Sequence, residues 1–280
     1  MRAHPGLDDR EARALDVLCK RLGDDEFVLA ERYTEWQVRA PSLESDLALS
    51  NIAQDELGHA RLWYDVLADL GDEEPDLVYE RDPETFRHST MVELPFETGD
   101  WADVIVRSFL YDEAEALRLD ALRASSHPVI ADRVPKILGE EDYHVEHARN
   151  WLERLTSGEG HERVQRAVNK LFPHALTLFE PVDPDVEDDI VALGYRTRSL
   201  TALRDEWLES VVPSLESLDI VVPIDLDSDT ETQVEQLRPA DVGRDGSHTE
   251  NWFDLYDEFT HTYRDLERSG PTTLMEPPER

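Results

Sequence analysis

The sequence has one cysteine, Cys19, and only three lysines, Lys20, Lys136 and Lys170. One cysteine excludes a disulfide framework or a cysteine-based metal site within one chain. No apolar run approaches the ~20 residues that a membrane span needs. The opening residues, MRAHPGLDDREARAL, lack the apolar core of a secretory signal. These absences predict a cytoplasmic protein with no membrane segment. Strand signal is scarce before residue 210. Positive charge is scarce as well, with 28 basic against 64 acidic residues and a formal net charge of -36 over 280 residues. Nucleic-acid backbones are gripped by Lys and Arg, so nucleic-acid binding is disfavoured. The acids are spread along the chain rather than gathered in one tail. That spread predicts a surface adapted to a halophilic cytosol, because in 1 M salt the Debye length is ~3 Å and like charges repel little.

What is present is helical periodicity. Helices are predicted at roughly 7–22, 24–38, 42–70, 99–125, 129–156, 161–179 and 196–210. Asp24 or Asp25 is the expected cap of the second, and Ser42 of the third. Gly71 is placed to end the third. Pro135 either bends the fifth or marks its first turn. Residues 71–98, with Pro75, Pro83 and Pro95, read as a long crossover. The expected organisation is a helical bundle with flanking helices over 1–212, an acidic linker or arm over 213–246 and a helix over 247–268. A disordered tail is expected over 269–280. The arm contains the alternating run Leu218–Ile224. The last helix carries Trp252, Leu255, Phe259 and Tyr263 on one stripe.

Four of these helices break their own inward stripe with polar groups. In 42–70 the apolar positions Leu49, Ile52, Trp63, Val66 and Leu70 enclose Glu56 and His59. In 24–38, Leu22, Leu29, Tyr33 and Trp36 enclose Glu26. In 99–125, Trp101, Ile105, Phe109, Ala116 and Leu119 enclose Asp112. In 129–156, Ile137, Ala148, Trp151 and Leu155 enclose Glu141 and His144. The four helices form two hairpins, turning at Arg39-Ala40-Pro41 and at Ser126-His127-Pro128. Each second arm carries Glu-x-x-His. Glu26 and Glu56 are equidistant from Pro41, and Asp112 and Glu141 are equidistant from the midpoint between Ser126 and His127. In an antiparallel hairpin, equidistant residues lie side by side, so each trio should meet at one level.

Four ionised carboxylates cannot share a core unpaired, because burial and mutual repulsion both oppose their charge. No matching Arg or Lys lies on the same stripes. A pair of divalent cations resolves the conflict. One carboxylate from each of two helices plus Glu-x-x-His from each of the other two is the di-iron or di-manganese arrangement of ferritin-like bundles. The predicted fold is therefore all-α, a ferritin-like four-helix bundle with extra helices and an acidic C-terminal arm. The predicted metal ligands are Glu26, Glu56, His59, Asp112, Glu141 and His144, holding a dinuclear iron centre. Asp55, Glu113, Glu115, Glu140 and Glu146 read as surface charge, with Glu115 or Glu140 as substitutes if the helical phase is off by a residue. His127, His147, His161, His174 and His261 have no mirrored partners and read as incidental. Tyr111 and Tyr143 read as packing residues.

The runs LGDDEFVLAERYTEWQVRAPSLESDLALSNIAQDELGHARLWYDVLADLG, FRHSTMVELPFETGDWADVIVRSFLYDEAEAL and GEEDYHVEHARNWLERL resemble the phenylacetyl-CoA monooxygenase (ring 1,2-epoxidase) subunits. VNKLFPHALTLFE and GSHTENWFDLYDEF look like the PaaC-type subunit. The resemblance covers roughly 20–265. It implies a multicomponent oxygenase of aerobic phenylacetate degradation, in which a PaaA-type chain holds the di-iron centre and a PaaC-type chain is its scaffold. Electrons come from an NADPH-dependent reductase, and the substrate is an aryl-acyl-CoA. PaaC-type chains typically have degenerate ligand positions, whereas here all six match the catalytic subunit's motifs. Two roles follow: an iron-containing oxygenase subunit, or a non-catalytic scaffold docking a PaaA-type chain. Iron storage or ferroxidase chemistry on the same bundle is a third. Arg118 and Arg123 are candidate contacts to the anionic CoA moiety.

Overall fold

The computed structural model describes residues 6–68, 70–96 and 100–266. Among them it is all helical, with no strand. Two long hairpins form the bundle. α1 (Asp9–Thr34) pairs with α2 (Leu43–Ala68), and after short helices α3 (Glu74–Val78) and α4 (Thr90–Glu93), α5 (Trp101–Leu122) pairs with α6 (Pro128–Thr156). α7 (His161–Ala175) and α9 (Leu200–Glu216) pack on α5, and α8 (Pro184–Ala192) packs on α1. α10 (Thr230–Leu237) and α11 (Glu250–Asp265) complete the described chain. This is the ferritin-like bundle with extra helices. No described helix is long and apolar enough to cross a membrane.

Local chemistry sets the helix ends. Asp8 and Glu11 form a reciprocal capping box at the start of α1. Ser42 Oγ accepts the Ser45 N–H at 3.2 Å, as a cap of α2 should. Gly71 follows α2 at φ +85°, a conformation open to glycine without a Cβ penalty. Pro128 occupies the first turn of α6, where its missing N–H costs nothing, and Pro135 lies inside the helix rather than marking its start.

The expected break between 7–22 and 24–38 is absent, since α1 runs through it. Gly23 does not end a helix. A Cβ there would stand 2.7 Å from the Tyr64 ring, so the glycine admits the aromatic side chain of α2. Asp24 and Asp25 are not caps. Asp24 accepts hydrogen bonds from the Tyr64 hydroxyl and an Arg81 guanidinium nitrogen, each at 2.7 Å. Asp25 Oδ2 accepts one from Arg118 and one from Arg244, each at 2.6 Å. Helix α8 was not read from the sequence, although Asp183 caps it and Pro184 opens it. Within 213–246 the chain holds the end of α9 and all of α10, and Ile220, Ile224, Val234, Val242 and Arg244 are buried. The run Leu218–Ile224 forms no strand. The tail over 269–280 lies outside the described residues.

Candidate metal centre

The six residues picked from the stripes are buried and come together in the bundle. Glu26, Glu56, His59, Asp112 and His144 are fully buried, and Glu141 is 1% exposed. Glu141 Oε1 lies 3.3 Å from His59 Nδ1 and 3.3 Å from His144 Nδ1. His59 Nδ1 is also 3.8 Å from Glu26 Oε2 and 3.9 Å from Glu56 Oε2. His144 Nδ1 is 3.6 Å from Glu56 Oε1. Donor atoms of Glu26, Glu56, His59 and Glu141 all lie within 4.8 Å of one another, and so do those of Glu56, Asp112 and His144. Glu56 belongs to both groups. The two groups are adjacent and share one carboxylate.

Hydrogen bonding tests the fit to cations. Both oxygens of Glu26, Glu56 and Glu141, Asp112 Oδ1, and the Nδ1 atoms of both histidines have no hydrogen-bond partner. Buried polar atoms are normally paired, and these convergent orphans fit the needs of a positive ion. Asp112 Oδ2 accepts a hydrogen bond from Ser108 at 2.7 Å, which leaves Oδ1 directed elsewhere. The donor chemistry, carboxylate and imidazole, suits iron or manganese.

The outer nitrogens of the histidines are held across the seam between the hairpins. His59 on α2 donates through Nε2 to Glu140 Oε2 on α6 at 2.9 Å. His144 on α6 donates through Nε2 to Asp55 Oδ2 on α2 at 3.4 Å. These reciprocal contacts keep the proton on Nε2 and turn the Nδ1 lone pair inward. Asp55, expected as surface charge, and Glu140, expected as surface charge or a substitute ligand, thus stand at the solvent edge of the cluster as partners of its histidines, with side-chain exposures of 39% and 33%.

Electrostatics describe a cluster that needs compensation. Burial, together with the charges of Glu26 and Glu141, pushes Glu56 well above the usual carboxylate range. Burial and Glu141 do the same to Asp112. Burial opposes a charged His144, but Glu141 outweighs it and raises that imidazole to about 9. Burial opposes a charged His59 in the same way, and Glu141, Glu26 and Glu56 together raise it. Burial would raise Glu141 itself, yet the two histidines hold it at about 2. Protons do here what a cation pair could do better.

A family model described as "Phenylacetic acid catabolic protein" matches residues 3–269. The chain belongs to that family. It is 33% identical over 252 residues to the C subunit of "1,2-phenylacetyl-CoA epoxidase" from Escherichia coli (strain K12), covering 88% of this chain and 94% of the relative. It is 29% identical over 202 residues to the A subunit of the same epoxidase from the same organism, covering 70% of this chain and 65% of the relative.

Around the centre, several residues depart from their sequence reading. Glu115 is fully buried and ion-pairs with Arg118, so it is not surface charge; it lies outside the two converging groups, although both its oxygens lack a hydrogen-bond partner. Glu113 is 7% exposed and pairs with Arg149. Glu146 is exposed, as expected. Arg118 lies buried between Glu115 and Asp25 and cannot reach a CoA phosphate. Arg123 is exposed but contacts Asp120 at 3.6 Å. Tyr111 is packed and buried, with its hydroxyl unpartnered. Tyr143 is 48% exposed and does not pack in the core. Sequence reasoning also missed Arg244, which crosses from the C-terminal segment to Asp25, next to Glu26. Its only signal was adjacent aspartates inside a helical pattern.

Proposed function

We propose that this chain is one component of a multicomponent phenylacetyl-CoA epoxidase in cytoplasmic phenylacetate degradation, and that it carries its own dinuclear iron centre. Glu26, Glu56, His59 and Glu141 would hold one ion, and Glu56, Asp112 and His144 would complete the shell of the other. The observation that carries the reading is the set of unpartnered carboxylate oxygens and Nδ1 atoms converging on one level. Family membership supports the setting, and the relatives are named as subunits of one epoxidase. The reading takes from them an A-type partner chain and an aryl-acyl-CoA substrate, and it adds, from the resemblance of the sequence, an NADPH-dependent reductase as electron source.

Bound there, a pair of iron ions would supply the redox chemistry that oxygenation of an aromatic ring by O2 requires, with electrons from the reductase. The chain's own part is to fix geometry and exclude water. His59 and His144 present Nδ1 because Glu140 and Asp55 hold Nε2–H. Ser108 orients Asp112. Tyr33 and Tyr111, both buried, close the wall near these carboxylates without competing for them by hydrogen bonding.

A scaffold role is favoured by one observation, the longer and stronger likeness to the C subunit of the epoxidase than to its A subunit. The two readings separate on metal. Iron per chain is measured on the purified protein, and oxygenation of phenylacetyl-CoA is measured with the assembled complex carrying wild-type or His59→Ala chain. Close to two irons, with loss of iron and turnover in the variant, is expected. A chain that cannot be loaded with Fe(II), in a complex whose turnover is indifferent to His59→Ala, leaves the scaffold role. Loss of iron with turnover retained makes the metal structural.

A further inference from the structure

A second cluster of ligand-type side chains shares no residue with the dinuclear centre. His88 and Glu93 come from the crossover before α5, and His248 stands just before α11. All three are buried, and one donor atom from each lies within 4.8 Å of the other two. Glu93 Oε2 is 2.7 Å from His88 Nε2 and 2.8 Å from His248 Nδ1. Two imidazoles from distant segments thus converge on one oxygen, with ring centroids 4.3 Å apart. Phe86 and Trp252 wall the site, their ring centroids 6.2 Å and 4.3 Å from that of His88.

The outer atoms turn these groups inward. His248 Nε2 is 3.2 Å from the Phe86 carbonyl, while Nδ1 faces the carboxylate. Both neighbours are acceptors, and a neutral imidazole has one N–H to give. Without a cation the ring needs a second, buried proton to serve both. With a cation on Nδ1, one proton on Nε2 suffices. An outer N–H on a backbone carbonyl is how ligating histidines are commonly held. His88 Nδ1 is buried without a partner. Nothing there rewards a second proton, so the ring stays neutral and keeps a lone pair to offer. Glu93 Oε1 accepts the Thr249 N–H at 2.7 Å, which fixes the plane of the carboxylate.

Two histidines and a glutamate are a frequent zinc set, with ligand atoms about 2.0–2.2 Å from the ion. Neighbouring ligand atoms then stand roughly 3.0–3.4 Å apart, so each imidazole needs to shift only about half an ångström from Glu93. The second oxygen of Glu93 supplies the fourth position, since a carboxylate oxygen keeps a lone pair while it accepts one N–H. We propose that His88, Glu93 and His248 bind a divalent transition-metal ion, zinc by the chemistry of the set, at a structural site that fastens the start of α11 to the crossover. The site is independent of the oxygenase reading.

The test counts Zn(II) on the metal-stripped full chain by equilibrium dialysis and reads the zinc X-ray absorption spectrum. Wild type should take one more zinc than His88→Asn or His248→Asn. Zinc should also raise the thermal midpoint of wild type more than that of either variant, a difference that a purely hydrogen-bonded triad does not produce. An ion at the dinuclear centre has one imidazole within reach, that of His59 or of His144. In a His59→Ala/His144→Ala chain that centre has none, so a bound zinc with two imidazole ligands there is the expected signature of the second site. Its absence, or an equal zinc count in wild type and both asparagine variants, overturns the proposal and leaves a hydrogen-bonded triad. The double variant needs neither His88 nor His248 replaced, so it decides the question even where the asparagine variants fail to fold. Loss of zinc in His59→Ala/His144→Ala bears on the dinuclear centre alone, and the two sites are judged separately.

Discussion

His59 and His144 each face carboxylates with both nitrogens, and this decides how the centre should respond to substitution and to pH. Removing an outer partner should cost roughly 10–100-fold in metal affinity, the usual effect of losing the group that orients a ligating imidazole. Glu140→Gln is the sharper test, because its contact to His59 is 2.9 Å against 3.4 Å for Asp55 to His144. Competition with a chromophoric chelator measures it, and an unchanged iron affinity would show that Glu140 is ordinary surface charge. The pH dependence follows from the protons the cluster holds without a cation. His144 is raised to about 9, while Glu56 and Asp112 are raised well above the carboxylate range, so ions must displace these protons to bind. Affinity should therefore rise as pH increases through neutrality towards 9, by about tenfold per pH unit for each proton displaced. Calorimetric titration of Fe(II) in buffers of different ionisation enthalpy counts the protons released. Zero released protons at pH 7 is the contrary result.

Helix α11 is tied to the body through Glu93, and this tie is where acid should act on an element. Glu93 Oε2 accepts hydrogen bonds from His88 Nε2 at 2.7 Å and His248 Nδ1 at 2.8 Å, while Oε1 accepts the Thr249 N–H at 2.7 Å. Burial, then the charge of His248, lowers the His88 imidazole from 6.5 to about 4. A depressed base is neutral in the fold and protonated in the unfolded chain, so its contribution is complete above pH 6.5 and is lost as pH falls through about 4. The shift corresponds to on the order of 3 kcal/mol. Burial opposes a charged Glu93, but the two histidines hold it at about 2 against 4.5, so a second loss follows below pH 4.5. Urea midpoints for wild type and His88→Asn between pH 7 and 4.5 test this, and parallel curves would remove His88 from the account. Neither His88 nor Glu93 was singled out in the sequence, since their partner, His248, lies 155 residues beyond Glu93. The bundle helices were legible because their stripes repeat every three or four residues. The gathering of buried carboxylates and histidines was legible because carboxylates interrupt those stripes at mirrored positions. Contacts between distant segments leave no local period, and that is why Gly23 read as a helix break when it makes room for Tyr64 on another helix.

At the scale of the molecule, charge dominates. The formal net charge is -36, and several of the 28 basic residues are spent inside. Arg21, Arg107, Arg118, Arg196 and Arg244 are buried, and each donates to carboxylates or backbone carbonyls that anchor the helices. Burial also withdraws acids, among them Asp24, Asp25, Glu26, Glu56, Glu93, Asp112, Glu115 and Glu141, yet most of the 64 acidic residues remain to give the surface its large negative excess. Compaction brings those like charges together, and unfolding relieves them, so screening should stabilise the fold. We hypothesise that the protein requires molar salt. Raising KCl from 0.05 to 2 M should lift the thermal midpoint by at least ~10 °C, equivalent to a few kcal/mol for a chain of this size. Salt can also strengthen apolar burial, and sucrose at matched osmolality does so without screening charge. Sucrose should then recover only a small part of the gain. Equal midpoints in dilute and molar KCl, or an equal gain from sucrose, would mean that the acidic surface serves some purpose other than folding in salt.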